Sequence, residues 1–237
     1  LFVRFDHGLY RPQVNANVER MLSVLGCDST TFRANQHVVR HIMLEGLYRR
    51  GDSCTHCHNG VYANSMQQVV RHRIPLVIWG EPIAEYQNWG DGFTYDDMEE
   101  VTERRHMMIA SNGLTAEDLE GMLADKGVTK RDLAPYAFPP MSELKRLGVK
   151  SLCLGSYIPW DVKAQSDRIA AEIGWEGDYV ENIPATHNYE KIECQMQSTR
   201  DWIRWVKRAH SRATHLASID ISHGRMTRDE AVRFERE

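Results

Sequence analysis

The run Ile74-Pro-Leu-Val-Ile-Trp79-Gly80-Glu81-Pro82 most narrows what this chain can fold into. A short, continuous apolar segment that stops at a glycine and a carboxylate suits a strand buried on both faces of a parallel sheet. The neighbouring segments agree. Residues 1–5 read as an apolar strand that ends in Asp6-His7-Gly8. A helix is expected near 12–25, where Val14, Val18, Met21, Leu22 and Leu25 keep helical spacing, followed by a short strand around 27–32. Helix 36–50 carries Val38, Val39, Ile42, Met43 and Leu47, and a further helix is expected near 61–72. A strand at 149–154 then leads into a helix at 161–173. Alternation of this kind gives an α/β fold with a parallel sheet. In such sheets ligands bind outside the carboxyl ends of the strands, so Asp6-His7-Gly8 and Gly80-Glu81 stand where a site is expected.

The region 83–137 changes character. Tyr86-Gln-Asn-Trp-Gly-Asp-Gly-Phe-Thr-Tyr-Asp-Asp97 is rich in charge and aromatic rings, and Ser/Thr helix starts follow near 115 and 129. It reads as an insertion over the site, in the manner of a lid. The expected division is a main domain over 1–175, containing that insertion, and a helical region over 176–237. On the last of these, Cys194, Met196, Arg200, Ile203, Trp205 and Lys207 share a helix with Arg204, Arg208 and Arg212. A solvated basic face is the ordinary reading of those cations, with Met and Trp in the core.

The segment Cys54-Thr-His-Cys57-His58-Asn-Gly60 concentrates the chemistry. Two thiols three positions apart with an imidazole between them can form a metal-chelating corner, for which Gly60 permits the turn. One CxxC supplies two ligands, and Cys153, Cys194, His56 and His58 are the candidates for the rest. A redox dithiol and a pair of unrelated buried cysteines are the alternatives. Cys27, inside its strand, reads as a small core residue.

Composition excludes several classes. The chain has 237 residues, 42% hydrophobic and 26% charged, with net charge −4. No global basic field recruits nucleic acid. No run approaches the roughly 18 apolar residues of a membrane span. Five cysteines at irregular spacing argue against a secreted disulfide framework and for a reducing, cytoplasmic setting. The strand at residue 1 and the uncapped helix at the other end suggest a piece of a longer chain.

Five ordered motifs carry a resemblance. Cys54-x-His-Cys-His58, Trp79-Gly-Glu-Pro82, Leu154-Gly-Ser-Tyr-Ile-Pro-Trp-Asp161, Tyr189-Glu-Lys-Ile-Glu-Cys194 and Thr214-His-Leu-Ala-Ser-Ile-Asp220 together resemble the N-acetyl sugar amidotransferases of surface-polysaccharide (O-antigen, lipopolysaccharide) and flagellin-sugar biosynthesis. These belong to the PP-loop ATP pyrophosphatase superfamily, and the similarity runs from Phe5 to about Glu230. It implies an adenine nucleotide α-hydrolase-like parallel sheet with a helical insertion and C-terminal helices.

The resemblance also implies a reaction. AMP passes from Mg²⁺-bound ATP to the oxygen of an acetamido group, and ammonia from a glutaminase partner and its synthase-like subunit then displaces it, leaving an acetamidino group on a nucleotide-linked sugar. Glu81 and Asp161, which both follow apolar runs read as neighbouring strands, are the candidates for catalysis, as a carboxylate pair that holds Mg²⁺ or positions the acetamido nitrogen. Asp6, His7, Gly80, Ser156, Tyr157 and Arg200 would bind nucleotide or substrate. Cys54, Cys57 and Cys153 would hold a [4Fe-4S] cluster or Zn²⁺. The superfamily's Ser-Gly-Gly-x-Asp-Ser phosphate loop occurs nowhere in the sequence. It precedes the opening strand in the family, so these 237 residues alone are expected to bind ATP weakly and to be inactive. A tRNA-thiolating PP-loop enzyme with an iron–sulfur cluster and a non-catalytic, metal-stapled scaffold are the competing readings.

Overall fold

The computed structural model describes residues 1–80, 111, 113–181 and 183–236. It is α/β, with two short parallel ladders. Strand β1 (Phe2–Asp6) pairs with β2 (Ser29–Arg33), placing Phe2 opposite Ser29 and Asp6 opposite Arg33. Strand β3 (Leu76–Trp79) pairs with β4 (Lys150–Cys153), placing Trp79 opposite Cys153. Parallel partners cannot be joined by a tight turn. Helices intervene in the chain accordingly: α1 (Pro12–Leu25), α2 (Gln36–Arg50), α3 (Thr55–His72), α4 (Ala116–Leu123), α5 (Lys130–Leu133) and α6 (Met141–Leu147) come before β4. After it come α7 (Val162–Ile173), α8 (Gln197–Arg208), α9 (Arg212–Ser222) and α10 (Arg228–Arg236). Among the described residues no helix is long and apolar enough to cross a membrane.

Local chemistry sets the helix ends. Asn35 caps α2 by accepting the His37 amide at 3.0 Å, and Gly51 closes it in the left-handed conformation. Thr115 and Asp118 form a reciprocal capping box on α4, as Thr129 and Asp132 do on α5. Those are the starts expected near 115 and 129.

The described residues cluster into two units, one of Leu1–Gly8 with Cys27–Asp161 and the other of Leu9–Gly26 with Val162–Glu237. The second unit therefore begins earlier than the expected boundary at 175 and takes α1 with it. In the first unit, Phe5, Val38, Val39, Ile42, Leu119, Leu123 and Tyr136 form one core. Met66, Val69, Leu144 and Val149 form another, with Val77 and Trp79 against it.

Four expectations are corrected. The residues from Leu114 to Tyr136 are not a lid: Leu114, Leu119, Leu123, Val128 and Leu133 are buried in the same core as Phe5. The part of that expected insertion at 83–110 lies outside the described residues. Strand β3 is not buried on both faces, because Val77 and Trp79 face the α3 side while Leu76 and Ile78 are 44% and 60% exposed. Cys27 is exposed and precedes β2 rather than packing within it. Lastly, α3 starts at Thr55, not near 61, so the CxxC motif occupies its first turn and Gly60 makes no turn. Glycine is required there for another reason: a β-carbon at position 60 would lie 2.2 Å from the Phe5 ring.

Candidate functional site at the carboxyl edge of the parallel strands

Helix α3 ties both ladders of the first unit together. Its Gly60 backs onto Phe5 near the end of β1, and the Tyr62 ring lies 4.6 Å from that of Trp79 at the end of β3. Val69, a turn and more further along, packs in the cluster that holds Val77. The helix thus runs against the strands, and its first turn, with Cys54 and Cys57, lies at their carboxyl edge. Asp6 and His7 leave β1 at that edge, Gly80 leaves β3, and Cys153 ends β4.

Asp6 is 9% exposed. Its carboxylate accepts from the Gly8 amide at 2.8 Å and from Arg33 Nε at 3.0 Å. Burial alone would raise its pKa, but those two donors and the charge of Arg33 prevail and hold it below the ordinary carboxylate range. It is therefore an anion whose first task is closing the strand-end turn. His7 is 1% exposed, and its carbonyl accepts from Gln36 Nε2 at 3.1 Å.

The His7 ring meets that of His56 edge to face at 5.5 Å. His56 is 3% exposed, and neither of its ring nitrogens has a hydrogen-bond partner of good geometry among the described residues. Burial, then repulsion from His7, drives its pKa down to about 3 against a weaker upward pull from the Ser53 backbone. The ring is neutral at physiological pH, with one nitrogen lone pair on offer. In the same unit, Ser53 Oγ, Thr55 Oγ1, Asn59 Oδ1 and Tyr136 Oη are also buried with no hydrogen-bond partner among the described residues. The Tyr136 hydroxyl, packed edge-on to Phe5 at 5.5 Å, has its pKa raised by burial and by the nearby Cys57. Most native buried polar groups are paired. A nest of unpaired ones around the CxxC turn marks this edge as the place where the first unit sacrifices stability.

Cys54 and Cys153 are buried and Cys57 is half-buried. Among the described residues, no three His, Cys, Asp or Glu side chains stand in an arrangement that could hold a metal ion. Asp161 is half-buried directly before α7, and Tyr157 is 55% exposed at the end of the turn that follows β4. Ser156 lies in that turn, its side chain outside the described residues, as is the whole of Glu81.

Arg200 belongs to the second unit, where it donates to Gln197 Oε1 at 3.2 Å and lies 3.7 Å from Glu193. Its neighbours form a network that sequence reasoning missed. Arg212 donates from Nη2 to Asp201 at 3.0 Å and lies 3.6 Å from Glu190. His187 Nε2 is 2.9 Å from Asp220, whose other oxygen accepts from Arg225 at 2.7 Å. The signal was present, since Glu190 and Asp220 lie in two of the five motifs, yet nothing local distinguishes a paired buried carboxylate from a ligand.

No protein-family model matches the sequence, and no curated protein matches it.

Proposed function

We propose that this chain belongs to an ATP-dependent enzyme that converts the acetamido group of a nucleotide-linked N-acetyl sugar to an acetamidino group, on a PP-loop type of sheet. One observation carries the reading: three of the five motifs that resemble N-acetyl sugar amidotransferases, those at Cys54, Trp79 and Leu154, end or begin at the carboxyl edge of the parallel strands, where α/β folds bind ligands. Asp6-His7 follows β1, Gly80 follows β3, the Gly155-Ser-Tyr157 turn follows β4, and Cys54-x-His-Cys57 opens the helix that covers both ladders.

An amide oxygen is a poor leaving group. Transfer of the α-phosphoryl of ATP to it releases pyrophosphate and leaves an O-adenylated imidate. Ammonia then attacks the imidate carbon, the C–O bond breaks, AMP departs with the oxygen, and loss of a proton gives the amidine. Glu81 and Asp161 are assigned to the Mg²⁺ of ATP or to the proton of the acetamido nitrogen. Gly80, Ser156 and Tyr157 are assigned to nucleotide or sugar, with Asp6 and His7 at the same edge. Arg200, on the second unit, is assigned to the diphosphate of the substrate.

The Ser-Gly-Gly-x-Asp-Ser phosphate loop of that superfamily is not among these 237 residues. Cys54, Cys57 and Cys153 are the proposed ligands of an iron–sulfur cluster or zinc. Among the described residues these side chains do not converge on an ion. Ammonia is assigned to a glutaminase partner, for which an ammonium salt substitutes in vitro.

The test is product formation. With Mg-ATP, ammonium and UDP-linked N-acetyl sugars, the full-length protein should form an amidino sugar with equimolar AMP and pyrophosphate. Asp161→Ala and Glu81→Ala should lower turnover at least tenfold with little change in unfolding midpoint. Wild-type turnover in both variants removes these two residues from the mechanism, and no amidino product from any such sugar sinks the reading.

A further inference from the structure

Helices α8 and α9 of the second unit gather more positive charge than their neighbours neutralise. The side that α8 turns to its own unit is polar: Gln197 is fully buried, Asp201 is 7% exposed and Arg204 is half-buried. On its other side Trp202 and Trp205 are 64% and 56% exposed. Arg212 of α9 ties the two helices together, donating to Asp201 Oδ1 from Nε at 3.2 Å and from Nη2 at 3.0 Å. Arg204 lies three positions after Asp201 and His215 three positions after Arg212, so each shares a helix side with a member of that ion pair.

The two side chains feel each other. Burial, then the charges of Arg204, Arg212, Lys191 and His210, lower the pKa of His215 to about 4, so its ring is neutral at physiological pH. On α10, Glu235 accepts from the Thr214 hydroxyl beside it. Burial, then Arg212, lowers the pKa of Arg204 against an upward pull from Asp201. Arg212 has Asp201 and Glu190 for counter-ions, and Arg200 has Glu193. Arg204 has no hydrogen bond or ion pair among the described residues. Five cations, Lys191, Arg200, Arg204, Arg208 and Arg212, thus act on this corner. The carboxylates paired with them are Glu190, Glu193 and Asp201, which leaves an excess of two positive charges.

We propose that Arg204 and His215 bind a phosphate-type group carrying two negative charges, with Arg204 donating to two of its oxygens and His215 taking up a proton to donate to a third. A guanidinium fork matches two phosphate oxygens, and the doubly charged anion balances the excess at the corner. A half-buried cation without a partner lowers stability, and the anion restores what it costs. The inference needs no ATP, ammonia or acetamido group and stands apart from the reaction proposed above. Inorganic phosphates and the diphosphate of a nucleotide-linked sugar share this chemistry. A nucleic acid is disfavoured, because Arg204 and His215 are half-buried and the whole chain carries a net charge of −4.

Calorimetric titration of the chain with inorganic pyrophosphate tests this. The expected result is saturable binding with Kd below about 1 mM at low salt, weakened about tenfold or more by Arg204→Gln. Without anion, Arg204→Gln should leave the unfolding midpoint unchanged or raise it, because it removes a cation that Arg212 repels. Pyrophosphate should raise the midpoint of the wild type and not that of the variant. In ring NMR, saturating pyrophosphate should move the His215 titration up from about 4 to roughly 6, since a bound anion favours the imidazolium. Displacement of pyrophosphate by UDP-N-acetylglucosamine would assign the site to a nucleotide-linked diphosphate, and failure to displace it would assign the site to a free phosphate. No saturable binding up to about 10 mM overturns the proposal. So does binding that Arg204→Gln leaves intact, or a His215 titration that ignores the anion. Binding of single-stranded RNA that pyrophosphate does not compete away would show a nucleic acid to be the occupant instead.

Discussion

The two units bury polar groups in opposite ways. The second pairs what it buries: Arg212 with Asp201 and Glu190, and His187 with Asp220, itself held by Arg225. The first buries His56, Ser53, Thr55, Asn59 and Tyr136 with polar atoms that have no partner among the described residues. A satisfied buried charge specifies how helices meet, because any other arrangement strands it in a medium of low dielectric. An unsatisfied one lowers stability and earns its place only through what it does. The polar interior of the second unit thus fixes how its helices meet, whereas the buried polar atoms of the first unit around Cys54–Cys57 do not hold its architecture by pairing among the described residues.

Breaking the paired network should have the largest effect. Arg212→Ala leaves the Asp201 and Glu190 carboxylates buried without their cation, and the expected loss is about 3–5 kcal/mol in denaturant unfolding. A loss below about 1 kcal/mol would show that solvent reaches this network and that the contrast between the units is overdrawn.

The pH dependence of stability should come from both units, from His56 in the first and from His215 in the second, whose pKa burial and then the charges of Arg204 and Arg212 lower to about 4. Folded His56 takes up a proton only near pH 3, whereas the unfolded chain does so near 6.5. Its folded pKa is depressed, so its share of stability is complete above 6.5 and is lost progressively as the pH falls towards 3. The slope is at most about 1.4 kcal/mol per pH unit for one group. His56→Asn should flatten the stability profile over that window, and an unchanged profile would contradict the burial of this ring. His7, at 5.5 Å, is the nearest titratable ring and belongs in the same measurement as His7→Asn.

Gly60→Ala probes the contact that seats α3 at the strand ends. The added methyl group overlaps Phe5, at about 1–3 kcal/mol, and the gain in helix propensity returns roughly 1 kcal/mol of it. Phe5→Leu in the same chain should relieve much of the clash, a non-additivity that thermal unfolding of the double variant would read. The smallest effect is expected from Thr55→Val, which removes a buried hydroxyl that has no partner among the described residues. Stability should stay within about 1 kcal/mol of wild type or rise, where Asp220→Asn in the second unit should lower it by more.

Much of this fold was legible in the chain. Helices α2 and α4 announce themselves through Asn35, Gly51 and the Thr115–Asp118 box, because caps are set by residues adjacent in sequence. The strand-end placement of Asp6-His7-Gly8 and Cys153 followed from apolar runs. The start of α3 did not, since Cys54-Thr-His-Cys57-His58 contains no apolar residue to show helical spacing and the thiols suggested a turn. Nor did the exposure of Trp202 and Trp205. A stripe at helical spacing reads as core from sequence, and only the hydrogen bonds of Gln197, Asp201 and Arg212 reveal which side of α8 faces inward. The unpaired state of His56 is likewise invisible in sequence, because it depends on groups brought together by folding.

The chemical assignment of the first unit turns on where the acetamido oxygen goes. With the full-length protein, Mg-ATP, ammonium and a UDP-linked N-acetyl sugar labelled with oxygen-18 in its acetamido carbonyl, mass spectrometry should find the label in AMP and none in pyrophosphate, with the amidino sugar unlabelled. Label retained in the sugar, or AMP released without it, would contradict adenylation of that oxygen and with it the proposed reaction.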